Sequence, residues 1–334
     1  MLNWIRVLLW LLPLRLRSIW VLLTITSFGV LAAVTLMSIS VIYSTALAES
    51  GLQHALAITP ANALNGQIMV RDRPLGPADY QSLNSTVSQL IQDRLGFLLR
   101  QINRRGQTQP NLALSISPEP ERAALNVLLG RPFFLTNFEQ HSQIIAGDWP
   151  ESTVEVSEAG VVMDSVVGQR TAATMALDVG DQVFLFPYPT DVSQRVTLNI
   201  TGIAIPTDPF DEYWLGVPFY FSLQQFEDKP LLPFYVREEA FFEGIGTRFS
   251  SLVGDFGWLL YMDTGVLDAE SVQSTRDAFT GLEVDINKRV PRSYFLTLLE
   301  NSRGTGLLAT YQRDLMLARV PLFLFIALVL VVIL

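Results

Sequence analysis

The sequence predicts an α+β protein anchored at both ends: an N-terminal transmembrane helix, a large mixed α/β extracytoplasmic domain in one or two lobes, and the start of a second transmembrane helix. Three observations predict this. Residues 19–43 are 25 consecutive uncharged, mostly apolar positions, and at about 1.5 Å per residue such a helix exceeds the roughly 30 Å hydrocarbon core of a bilayer. Residues 320–334 are again apolar to the last position. Between them the chain mixes helix-period and strand-like runs separated by Gly, Pro and Asp turns.

Residues 1–18 set Trp4 and Trp10 among Arg6, Arg15 and Arg17, which suits an interfacial helix on an anionic leaflet or a plain extension of the span. Arg15 and Arg17 before the 19–43 span, and Glu49 after it, put the N-terminus in the cytoplasm by the positive-inside rule. A cleaved signal peptide ending at Ala46-Leu47-Ala48 is the rival reading, but signal peptides carry an apolar region of only about 7 to 15 residues. The main domain is expected over 44–292. Residues 78–104 carry Tyr80, Leu83, Val87, Leu90, Ile91, Leu95, Leu98 and Ile102 at 3,4 spacing, which predicts a helix ended by Gly106. Strand-like runs follow at 112–116, 125–129, 154–156, 161–163, 183–186, 196–205 and 258–262, with a helix at 166–176 ahead of Gly180. Gly180-Asp181 suits a turn, since Gly accepts positive φ and Asp can bond the local backbone. A connecting amphipathic helix is expected over 293–318, weakened at Gly304 and Gly306, and 319–334 as the start of the second span. Because that run reaches the last residue, the chain is expected to be the N-terminal part of a longer protein.

Composition removes several function classes. All 32 acids lie within 49–319 with 20 of the 23 bases, a net charge of 20 minus 32, or −12. Such a domain would approach phosphates against its own field, so no nucleic-acid partner is expected. The absence of Cys removes thiolate chemistry, Cys-ligated zinc and iron–sulfur clusters. His54 and His141, far apart, read as structural or surface residues. No G-x-x-x-x-G-K-[ST] occurs, so no ATP site of that type is carried. No cofactor, metal or catalytic residue is assigned.

Residues 210–242 hold 11 aromatics in 33 positions. Phe210, Tyr213, Trp214, Phe219, Tyr220 and Phe221 are the candidate surface for a lipid-like substrate or a partner protein. The competing reading is a core of short strands packed on rings, and exposure decides between them. Asp208, Asp211 and Glu212 beside it read as a solvated acidic loop rather than a Ca²⁺ site, because the EF-hand pattern is missing.

A family resemblance rests on three stretches. Ala146-Gly147-Asp148-Trp149-Pro150 is similar to a Gly-Arg-aromatic-Pro turn; 171–183 (TAATMALDVGDQV) resembles an A-x-x-L-G-L-x-V-G-D helix and turn; 196–203 (VTLNITGI) resembles a V-x-G-I strand. Together with the two spans, they resemble the MacB/FtsX-type permease subunits of ABC transporters. The resemblance implies a non-enzymatic membrane permease for export or mechanotransmission, with its MacB-like core domain outside the cell (plasma or inner) membrane. It also implies as partners a separate cytoplasmic ABC ATPase, a second permease copy in a dimer, and membrane lipid. A two-span receptor or sensor with an extracytoplasmic ligand-binding domain is the alternative, as is a single-span anchored binding protein.

Overall fold

The computed structural model describes residues 2–109, 111–121, 124–158, 160–216, 218–301 and 303–333. In chain order the helices are α1 (Leu2–Ile58), α2 (Ala61–Leu64), α3 (Pro77–Leu95), α4 (Gln169–Met175), α5 (Glu238–Ala240), α6 (Val272–Arg289) and α7 (Leu307–Ile333). The strands are β1 (Gly66–Pro74), β2 (Leu99–Gln109), β3 (Leu112–Ser115), β4 (Leu129–Leu135), β5 (Ser142–Gly147), β6 (Val154–Ser157), β7 (Gly160–Gly168), β8 (Gln182–Phe186), β9 (Arg195–Pro206), β10 (Gln224–Phe226), β11 (Lys229–Tyr235), β12 (Val253–Met262) and β13 (Ser293–Thr297). The mixed α/β character expected from the sequence is thus observed. The chain divides into two compact units, one of residues 1–57, 268–270 and 309–334, the other of 58–267 and 271–308.

In the first unit, α1 runs unbroken through Pro13 and past residue 43, and its Thr24–Ile58 part is long and apolar enough to cross a membrane. The hydroxyls in this stretch bond their own helix: Thr24 to the Trp20 carbonyl (2.7 Å), Thr35 to Leu31 (2.8 Å) and Ser38 to Val34 (2.9 Å). Polar side chains satisfied in this way add little cost in an apolar medium. Further along, the small residues Ala48 and Gly51 admit a ring. Tyr311 on α7 donates its hydroxyl to the Ala48 carbonyl at 2.8 Å, and a Cβ on Gly51 would sit 3.6 Å from the Tyr311 ring. Glu49 accepts from the Ala269 backbone N–H at 2.9 Å.

The second unit is built on one continuous set of strand pairings. Six strands close a circuit in the order β4-β11-β7-β9-β8-β3, the closing pair β11–β4 being parallel. Gly130 on β4 leaves room inside: a Cβ there would lie 2.3 Å from Leu185, 3.1 Å from Leu114 and 3.4 Å from Phe234. From β4 an open sheet continues through β2, β12, β1 and β13. Its register puts Ile68, Val70, Gly106, Phe134, Phe256 and Trp258 on one face. There Tyr80 of α3 packs on Phe134, Phe242 and Phe256, and Asn84 accepts from the Trp258 indole at 2.9 Å. Helix α6 lies beside α3, with Phe279 stacked on Phe295 of β13 at 5.8 Å. The opposite face carries Gln67, Met69, Asn103, Arg105, Leu135, Gly257 and Leu259.

Several sequence expectations are corrected. The helix expected over 78–104 ends at Leu95, and 99–109 is strand β2, because both β12 and β4 pair with it; Gly106 lies inside that strand and ends no helix. Residues 124–126 form a 3₁₀ turn, and the strand expected at 125–129 begins only at Leu129. Strand β7 runs to Gly168, so the helix expected from 166 starts at Gln169. The connecting helix expected over 293–318 is interrupted: Ser293–Thr297 pairs as a strand with β1, and helix resumes only at Leu307. The Gly180-Asp181 turn is as expected, with Gly180 at φ 98° and Asp181 accepting from the Asp178 N–H at 2.8 Å.

Candidate functional site

Two 3₁₀ turns, Glu212–Trp214 and Phe219–Phe221, carry five of the six candidate residues. The acids beside them fix the bends. Asp208 accepts from the Phe210 N–H (2.8 Å), and Asp211 from the Tyr213 N–H (2.9 Å), as short polar side chains do at turns. The His141 ring stacks parallel on Tyr213 at 3.9 Å, and its Nδ1 lies 2.7 Å from the second Asp211 oxygen. Glu212 pairs with Arg100. These side chains hold structure together, and among the described residues no three His, Asp or Glu gather as a metal site.

Buried polar groups on the rings find partners, as they must when removed from water. Tyr213 donates to the Thr136 carbonyl (2.8 Å), Tyr261 to the Tyr213 carbonyl (2.7 Å), and the Trp214 indole to the Asp208 carbonyl (2.9 Å). Burial pushes the Tyr213 and Tyr261 hydroxyls far above the ordinary phenol value, so both remain neutral donors. Tyr213, Trp214, Tyr220 and Phe221 are buried in an aromatic cluster with Phe133, Phe138 and Tyr235. Phe210, 91% exposed, and Phe219, 40% exposed, are the two candidate residues that present rings to solvent.

Four of the six candidates meet around a pocket. Tyr213, Trp214, Phe219 and Tyr220 line a space of about 190 Å³ together with Gln67, Arg105, Leu135, Leu215 and Leu259. Leu215 and Gly216, at φ 50° and 141°, turn the chain between the two 3₁₀ segments. Phe210 and Phe221 lie outside this lining. Arg105 gives one N–H to the Tyr220 hydroxyl (3.1 Å) and another to the Met69 sulfur (2.9 Å). Gly257 clears its path, since a Cβ there would meet the Arg105 side chain at 2.9 Å.

Sequence reasoning did not find Arg105 or Gln67. Residues 78–104 read as one helix hid the strand alternation that sets Asn103, Arg105 and Gln107 on one face. Gln67 sits in the nine-residue strand β1, whose pairing to β12 is remote in sequence. A second pocket of about 390 Å³ is lined by Arg104, Asn137, Glu139, Tyr235, Arg237 and Glu238 among others. Its arginines are paired, Arg104 with Glu238 at 2.9 Å and Arg237 with Glu139 at 3.1 Å.

The fold and site together define a mixed α/β domain with an aromatic pocket entered by one arginine, in a chain whose first helix is long and apolar enough to cross a membrane. No protein-family model matches the chain, and no curated protein matches it. Among solved structures it is similar to "a domain of a putative Permease protein from Porphyromonas gingivalis", with 12% identity and a TM-score of 0.29, over 71% of this chain and 89% of that one. A likeness at this level carries no inference about fold or function.

Proposed function

We propose that the chain is a membrane permease subunit of an ABC-type export or mechanotransmission complex. The domain 58–308 lies on the far side of the membrane from a cytoplasmic ATPase, and a second permease copy completes the assembly. The observation that most supports this reading is the pairing of the two apolar helices within one unit, through Tyr311 on α7 and the Ala48–Gly51 surface of α1. This contact lies past the apolar 19–43 stretch, beside Glu49, so it ties the helices together at the end of the span. A pair tied in this way moves together, and ATP-driven closure on the cytoplasmic side is conveyed outward along it. Coupling of this kind is reciprocal for binding, so an outer ligand changes nucleotide affinity in the partner by the same factor.

The sequence resemblance to the MacB/FtsX-type permeases supports the same reading. Its test is purification of the full-length protein from native membranes in mild detergent. A P-loop ATPase should copurify, with ATP hydrolysis that responds to substitutions in this chain. Recovery of a signalling kinase without ATPase activity would instead establish the receptor alternative.

A further inference from the structure

We propose that the pocket lined by Tyr213, Trp214, Phe219 and Tyr220 binds a small anion carrying one apolar group, a carboxylate or phosphate monoester, with Arg105 holding the acid. Trp214, Phe219, Leu135 and Leu259 hold the apolar part. The proposal rests on the pocket itself and is separate from the permease reading.

Arg105 is half-buried, yet no carboxylate lies within 4.0 Å of it among the described residues. A guanidinium has five N–H donors. Those of Arg105 meet a phenol and a thioether, and the thioether is a weak acceptor. A half-buried guanidinium with no acidic partner keeps donors for an anion, and its bonds to a carboxylate or phosphate are stronger than those to a phenol or thioether. Arg131 lies near enough to feel the Arg105 charge and also faces neutral partners, Asn111 (2.8 Å) and Gln224 (3.3 Å). Asp255 is the acid that opposes Arg131; it accepts from the Asp72 N–H at 3.1 Å. Arg105 is thus a cation in the pocket lining without an acidic partner among the described residues, in a domain that is negative overall.

The rest of the lining fits a mixed ligand. Gln67, half-buried at the wall, offers an amide that bonds no described residue, while Leu135, Leu215, Leu259, Trp214 and Phe219 are apolar. Ligand sites commonly combine such apolar walls with few convergent polar groups. At about 30 Å³ per water, the volume corresponds to roughly six waters, room for one acid group and a ring or short alkyl chain but not a lipid tail pair.

Isothermal titration of the full-length protein in nanodiscs tests this, with phenyl phosphate and benzoate as probes and benzyl alcohol as their neutral counterpart. The anions should bind, and benzyl alcohol at least about tenfold more weakly, since a hydrogen bond to a charged group is worth that much. Arg105→Gln should weaken the anions about tenfold or more and leave benzyl alcohol unchanged; Gln67→Leu, which keeps the wall, should weaken them less. Hexanoyl lysophosphatidate, with a single short tail, displacing phenyl phosphate identifies a lipid headgroup as the source of the anion, and failure to displace it identifies a free small anion. No anion binding by the folded wild type, or equal binding of benzoate and benzyl alcohol, overturns the proposal even if Arg105→Gln does not fold.

Discussion

Gly106 shows how one missing side chain sets the packing of the open sheet. A Cβ there would fall 2.3 Å from the Phe134 ring and 2.8 Å from the Phe256 ring, so Gly106→Ala should destabilise the domain by about 1 to 3 kcal/mol, the usual cost of overpacking a core. Urea unfolding checks it; an unchanged midpoint would mean the rings move aside freely. Asp255 gives a pH-dependent case. Burial raises its carboxyl above the ordinary 3.8, so the folded protein bears a penalty for the charged form that is complete above the raised value and gone below the unfolded one. Asp255→Asn should therefore be more stable than wild type at pH 7, with the advantage shrinking as pH falls toward 4. Paired denaturant titrations at the two pH values measure it, and an advantage that grows on acidification would contradict this assignment. At this scale the sequence was partly legible. Gly180 and Asp181 show their turn in the residue types themselves, whereas Arg105 becomes significant only through pairing with strands far away in the chain.

At the scale of elements, local apolar runs and remote pairing contribute differently. Strands β3, β8 and β9 were readable because continuous or alternating apolar residues mark buried strands. Strand β1 was not, because its 66–74 sequence mixes Arg71, Asp72 and Arg73 with its apolar residues and gains its place from β12 and β13 on either side. The α3–β2 boundary was misplaced because Leu98 and Ile102 continue the helical spacing by coincidence, while Gly96 and the Leu98 N–H to Leu95 carbonyl turn (2.9 Å) end the helix. Helix α6 did carry a usable signal, Val272, Thr275, Phe279, Leu282 and Ile286 at 3,4 spacing, all buried. Phe279 anchors that helix on Phe295, so Phe279→Ala should cost about 3 to 5 kcal/mol. A loss under 1 kcal/mol in chemical denaturation would show that α6 contributes little to the domain. The aromatic-rich segment divides between the two readings open to it: most of its rings are core, and the pocket is the part that remains available.

For the whole molecule, the pairing of the two apolar helices carries the coupling prediction. Gly51→Leu should force the Tyr311 ring away from α1, because that ring already lies 3.6 Å from where a Cβ would sit. Under the permease reading this lowers ATPase stimulation while the domain keeps its folded circular dichroism; full stimulation would remove the helix pair from the coupling path. The permease reading places the domain beyond the membrane, and the lack of native Cys makes that placement directly measurable. Ser85 is exposed on α3. In intact cells, Ser85→Cys should react with a membrane-impermeant maleimide, whereas Asn3→Cys should react only after the membrane is opened. Labelling of position 3 in intact cells with protection of position 85 would invert the topology and contradict the account.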